Sequence, residues 1–199
     1  MKKGVLQLKK EDFYPAIGLV ALLWLLFFLQ QIGFFQACYG VIPWRIAGIK
    51  DIFLSPLFHG SLDHLSSNTL PLFFLSVLLF LFYKKQAYTV LIGGWILSGM
   101  LLWLLPDFNF LKHQIHSCHI GASGLIYMLA TFLCFSGIFS RQVLLILVSL
   151  LVVLLYGGLI YAIFPYLVED DVSWQGHLLG AGVGFFYAYQ LNKKRRKKA

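Results

Sequence analysis

Charge is scarce in this sequence, and negative charge most of all. Only 12% of the 199 residues are charged, eight of them Asp or Glu, while 59% are hydrophobic. A soluble domain carries about 25% charged residues, so this chain cannot clothe a water-facing surface of ordinary size. The few carboxylates that could assist a buried base, Asp107, Glu169, Asp170 and Asp171, all fall between the apolar runs. Chemistry by a carboxylate pair inside those runs is therefore excluded. Cysteine is rarer still: three residues without CxxC spacing exclude a disulfide framework. Cys38 and Cys118 both fall in loops expected on one side of a membrane, where a single bridge is feasible. The spacing gives that bridge no support, and three free thiols packed as small hydrophobes are the expectation. No internal repeat and no HExxH motif occurs, and the basic tail is the one biased stretch.

What the chain has in abundance is apolar runs. Crossing a hydrocarbon core takes about 20 apolar residues, and such runs span 15–36, 62–82, 88–106, 122–140, 142–164 and 175–191. The last is the least hydrophobic, diluted by Gly176, Gly180, Gly182 and Gly184. The fold class expected is an all-α integral membrane bundle of six transmembrane helices. A short segment, 1–14, precedes this membrane domain of 15–191, and a basic tail, 192–199, follows it. Thirteen of the sixteen Lys and Arg residues fall on one side of this topology, leaving Arg45, Lys50 and Lys112 on the other. Positive loops stay inside, which puts both termini in the cytoplasm. The tail NKKRRKKA directly follows an apolar run, so its expected partner is the anionic surface of the lipid bilayer and not nucleic acid. The N-terminal MKKGVLQLKKED precedes too long an apolar run, with no small-residue cleavage site, to read as a removed signal peptide.

All six histidines fall on the external side or in the outer half of the membrane. Ionisable groups there are costly and mark functional sites. In HGSLDHLSSN, residues 59–68, His64 and Asn68 stand at i and i+4 and share a helix face, able to donate into one pocket. His59 is off that face and is expected to make a loop hydrogen bond. In GASG, residues 121–124, Gly121 and Ser123 open a helix where backbone N–H groups lack intrahelical partners. That arrangement suits an oxyanion beside the hydroxyl, and equally a plain helix cap among small packing residues. In WQGHLLGAGVG, residues 174–184, His177, Gly180 and Gly184 lie at i, i+3 and i+7, so the imidazole shares a face with two residues that admit a close neighbour.

The three motifs together, His59, His64 and Asn68 as H-x4-H-x3-N, GASG around Ser123, and H-x2-G-x3-G at His177, Gly180 and Gly184, resemble the rhomboid family of intramembrane serine proteases. Tyr127, four residues after the serine, matches the tyrosine that stacks on the catalytic histidine in that family. Many rhomboids also carry a Trp-Arg pair shortly before the first histidine. Here Lys50-Asp51 occupy that place and Trp44-Arg45 lie upstream.

The resemblance implies a Ser-His dyad in which Ser123 attacks a peptide carbonyl, His177 takes its proton and Tyr127 orients the imidazole. His64, Asn68 and the Ser123 N–H would stabilise the oxyanion. It also implies that the substrates are transmembrane helices of other proteins, cut near their external ends where the helix can unwind. Tyr156-Gly157-Gly158 would flex to admit them, under a cap formed by 164–174. No cofactor and no metal is called for, and the expected location is a bacterial inner membrane. The competing expectation is a non-proteolytic six-helix protein binding metal through HQIHSCH, residues 113–119, whose His113, His116, Cys118 and His119 are loosely spaced ligands. On the protease reading, His119 lines a water-filled entrance.

Overall fold

The computed structural model describes residues 9–106, 118–169 and 172–196. Its helices are α1 (Tyr14–Gln31), a single turn α2 (Asp51–Leu54), α3 (Leu62–Phe82), α4 (Ala87–Leu104), α5 (Ser123–Ser140), α6 (Val143–Tyr156) and α7 (Trp174–Arg196). Among the described residues, five stretches are long and apolar enough to cross a bilayer: α1, α3, α4, α5 and Val143–Ile163. The expected count of six is therefore met only to five by this measure. The remaining long helix, α7, has 23 residues, about 34 Å at 1.5 Å per residue, but its glycines and basic end lower its hydropathy.

Three boundaries differ from the sequence reading. α7 does not stop with the last apolar run at 191 but continues through Arg196, into the basic tail. Lys and Arg are good helix formers and favour the negative end of the helix dipole. The first helix stops at Gln31 instead of 36, where Gly33 takes a φ of +81° and turns the chain. The fifth run is α-helical only to Tyr156 and tightens into a 3-10 segment, Gly157–Ile163. Two consecutive glycines weaken the α-helix at that point.

The bundle is built around α5, which touches α3, α4, α6 and α7. Lipid tails are as apolar as leucine, so helices in a bilayer associate through close packing and interhelical hydrogen bonds. Both devices are present. A Cβ on Gly180 would run into the carbonyl of Gly124, and one on Gly184 into that of Met128. Two residues without side chains, four apart, thus let α7 lie directly on the backbone of α5. On the other side the Ser149 hydroxyl of α6 donates to the Cys134 carbonyl at 2.7 Å.

At the end remote from Ser123, Asp12 and Lys84 form an ion pair that joins the start of α1 to the end of α3. At the Ser123 end, the loop after α1 is pinned to α4. Trp44 Nε1–H donates to the Leu104 carbonyl at 2.9 Å, and Trp103 Nε1–H to the Arg45 carbonyl at 3.0 Å. The displaced Trp44-Arg45 pair therefore anchors this loop. Val41 and His119 exchange both backbone hydrogen bonds at 2.9 Å. That bridge brings the flanking cysteines together, and Cys38 and Cys118 form a disulfide with Cα atoms 6.6 Å apart. The expectation of three free thiols is corrected here. Partners 80 residues apart are adjacent only through the fold, and Cys134 alone is free.

Candidate active site

Ser123 is the first residue of α5, and His177 lies in the first turn of α7. Because the Gly180 contact holds these helices backbone to backbone at their mouths, the two side chains meet. His177 Nε2 is 2.8 Å from Ser123 Oγ. The opposite ring nitrogen, Nδ1, is 2.9 Å from the Ala162 carbonyl. A carbonyl can only accept, so Nδ1 carries the hydrogen and Nε2 of the neutral ring accepts the serine proton. The imidazole is 6% exposed and is covered on one face by Tyr127, stacked at 4.2 Å and 7°. The Tyr127 hydroxyl donates to the Leu159 carbonyl at 2.8 Å. The 3-10 segment Gly157–Ile163 thus holds both the histidine and the ring stacked on it.

Opposite this pair lies the start of α3. Gly121 takes a φ of +108°, and a Cβ there would stand 2.5 Å from the His64 ring and 3.7 Å from Asn68 Nδ2. His64 and Asn68 therefore sit over the segment that leads into Ser123, and only glycine leaves room for them. The first backbone donors of this corner are engaged: Gly121 N–H to the Ser55 carbonyl at 2.8 Å, and Ala122 N–H to His59 Nε2 at 3.3 Å. His59 Nε2 also receives Asn68 Nδ2–H at 3.1 Å. The loop hydrogen bond expected of His59 is the one from Ala122 N–H, and the ring, 1% exposed, also joins Asn68 to the mouth of α5. Burial first, and the neighbouring His64 second, push its imidazole down to about 4, so it stays a neutral acceptor.

The chain matches the rhomboid domain family model over residues 43–194. It is a member of the rhomboid family. An uncharacterized protein of Mycobacterium tuberculosis is 36% identical over 184 residues, covering 89% of this chain and 74% of that protein. An uncharacterized protein of Mycobacterium leprae is 36% identical over 147 residues, 73% of this chain and 57% of its own length. A protein of Acanthamoeba polyphaga mimivirus named as a rhomboid protein is 26% identical over 169 residues, 85% of this chain and 86% of its own.

In this rhomboid the structure brings together Ser123, His177, Tyr127, His64, Asn68 and Gly121, with Gly180 and Gly184 beneath them on α7. His113 and His116 of the metal-binding alternative lie outside the described residues. Among the described residues no cluster of three His, Cys, Asp or Glu side chains could hold a metal ion. His119 lines a cavity shared with Gly121, Ser123 and Ser173; it is 5% exposed and its Nδ1 is hydrogen-bonded to Ser173. The carbonyls of Ala162 and Leu159 were missed in the sequence, because a backbone acceptor leaves no mark on residue type.

Proposed function

We propose that this rhomboid is an intramembrane serine endopeptidase that cleaves transmembrane segments of other membrane proteins near their external end. The observation that carries the reading is the 2.8 Å contact between Ser123 Oγ and His177 Nε2, in a ring whose other nitrogen is committed as a donor to Ala162. Ser123 gives its proton to His177 as its oxygen attacks the scissile carbonyl. The imidazolium so formed keeps its Nδ1–H on the Ala162 carbonyl, whose dipole takes the place that a carboxylate holds in a triad. The tetrahedral oxyanion is received by His64, Asn68 and the N–H of Ser123. That N–H sits at the first helical position, where no intrahelical acceptor exists and the helix dipole is positive. His177 returns its proton to the departing amine, and a water activated by the same imidazole releases the acyl-enzyme.

The membrane topology supporting this reading has α7 as a sixth crossing and both termini in the cytoplasm, on the strength of the Lys and Arg distribution. The site then lies below the external surface, in reach of helices that enter sideways. The mycobacterial relatives favour a bacterial inner membrane. The test is covalent labelling of detergent-solubilised protein with a fluorophosphonate serine probe, with cleavage of a model transmembrane substrate in parallel. Ser123→Ala should abolish both at unchanged expression. Cleavage retained by Ser123→Ala would overturn the proposal.

A further inference from the structure

Deep in the bundle, Phe135 and Phe139 of α5 pack on Phe185 of α7, and Asn192 donates to Ser136, but at the mouth the glycine contacts fix only how near α7 comes to α5, and a surface without side chains offers no knobs there to set the register. The 2.8 Å dyad contact is sensitive to that freedom, since a displacement of about 1 Å can cost about 10²-fold in rate. A register lock at the mouth of the two helices is therefore to be sought, and among the described residues a polar contact outside the dyad joins the segments that enter them. His119 Nδ1 and Ser173 Oγ share a hydrogen bond of 2.7 Å.

Each partner is fixed on its own side. His119 lies four residues before Ser123, its N–H and C=O both bonded to Val41 and its neighbour Cys118 in the disulfide. Ser173 lies immediately before α7. Its hydroxyl receives the Gly176 N–H at 3.2 Å, as a helix cap does, and its carbonyl receives the N–H of His177 itself at 3.2 Å. One side-chain bond thus connects the lead-in of the nucleophile's helix to the cap of the base's helix.

We infer that His119 and Ser173 form a positioning pair that sets the register of His177 against Ser123. Neither touches the reacting atoms, and the inference rests on the dyad reading above.

A double-mutant cycle tests it. His119→Phe, Ser173→Ala and the double variant are assayed for kcat and KM on a model transmembrane substrate, for the second-order rate of fluorophosphonate labelling, and for melting temperature. His119→Phe, which keeps an aromatic ring and removes the bond, should lower kcat and labelling together by about 10-fold, with KM within about 2-fold. Ser173→Ala also loses the cap and should be at least as slow. The double variant should be no slower than Ser173→Ala, because the shared bond can be lost only once. His119→Gln and Ser173→Thr, which keep a hydrogen-bonding group in place, should recover most of the rate. Should His119→Phe fail to fold, His119→Leu, which also removes the bond, takes its place throughout the cycle.

Labelling of His119→Phe at the wild-type rate, multiplicative losses in the double variant, or a kcat that falls only as far as the folded fraction falls would each overturn the positioning role. Ser123→Ala in the same series separates the two readings. If it is unlabelled while His119→Phe reacts normally, the pair alone is wrong. If it still cleaves, the dyad and the pair fall together.

Discussion

His177 donates its Nδ1–H to the Ala162 carbonyl at 2.9 Å, so in the proposed dyad the group that orients the imidazole is a backbone dipole supplied by a 3-10 turn. The arrangement suits a chain with almost no carboxylates. An ionised Asp at this depth would be costly to bury, whereas a carbonyl in the last turn of the 3-10 segment Gly157–Ile163 is already there and neutral. It fixes the tautomer as an Asp would, with less stabilisation of the imidazolium.

If the 3-10 turn orients the base, Tyr127 should matter more through its ring than through its hydroxyl. Tyr127→Phe keeps the stack on His177 and loses one bond to Leu159, worth about 1 kcal/mol, so kcat should fall by no more than about 5-fold. Tyr127→Ala uncovers one face of the imidazole and should fall by about 10²-fold. Rates of purified variants on one substrate decide the order, and a Phe variant as slow as the Ala variant would contradict it.

The oxyanion assignment predicts a different pattern. His64→Ala and Asn68→Ala should each lower kcat by about 10²–10³, with His64→Ala at least as severe and neither fully inactive, because the Ser123 N–H remains. Both should still react with the serine probe, since the Ser123–His177 pair is intact. Wild-type kcat in both variants would remove these side chains from the mechanism.

The Cys38–Cys118 bond closes a separation of 80 residues, for which the chain-entropy model gives about 4 kcal/mol. Reduction by a phosphine, or Cys38→Ser, should lower the melting temperature in detergent. Cys118 is five residues before Ser123, so probe labelling should slow as well. Equal melting and equal labelling with and without the bond would show that the Val41–His119 bridge suffices.

These predictions divide along what could be read in the sequence. Apolar runs revealed most of the bundle, since membrane length leaves a plain signature. The side chains now gathered around Ser123 were visible because few other polar groups occur inside those runs. What stayed hidden was carried by the backbone or by distant pairing. Hydropathy does not distinguish the α-helix that ends at Tyr156 from the 3-10 turn after it, so the carbonyls of Leu159 and Ala162 had no sequence signal. Nothing in the spacing of Cys38 and Cys118 announced their bond. The pairing of His119 with Ser173 likewise has no sequence signal, since the two stand 54 positions apart.

His59 supplies the pH dependence. It accepts from Asn68 and from Ala122 N–H, and it can do so only while neutral. Burial lowers its pKa from 6.5 to about 4, so between those values the unfolded chain holds a proton that the folded one refuses. Stability from this group is fully present above pH 6.5 and is lost as pH falls toward 4. At about 1.4 kcal/mol per unit the loss amounts to about 3 kcal/mol. Melting curves between pH 7.5 and 4.5 should therefore shift to lower temperature. His59→Gln, whose amide oxygen can still accept but does not titrate, should melt lower than wild type at pH 7.5 and change less on acidification. Activity per folded molecule should fall only where His177 itself takes a proton, because a protonated His177 cannot take the Ser123 proton, and His59→Gln should leave that limb of the profile unchanged. If His59→Gln loses stability with falling pH as steeply as wild type, the acid sensitivity of the fold belongs to another group.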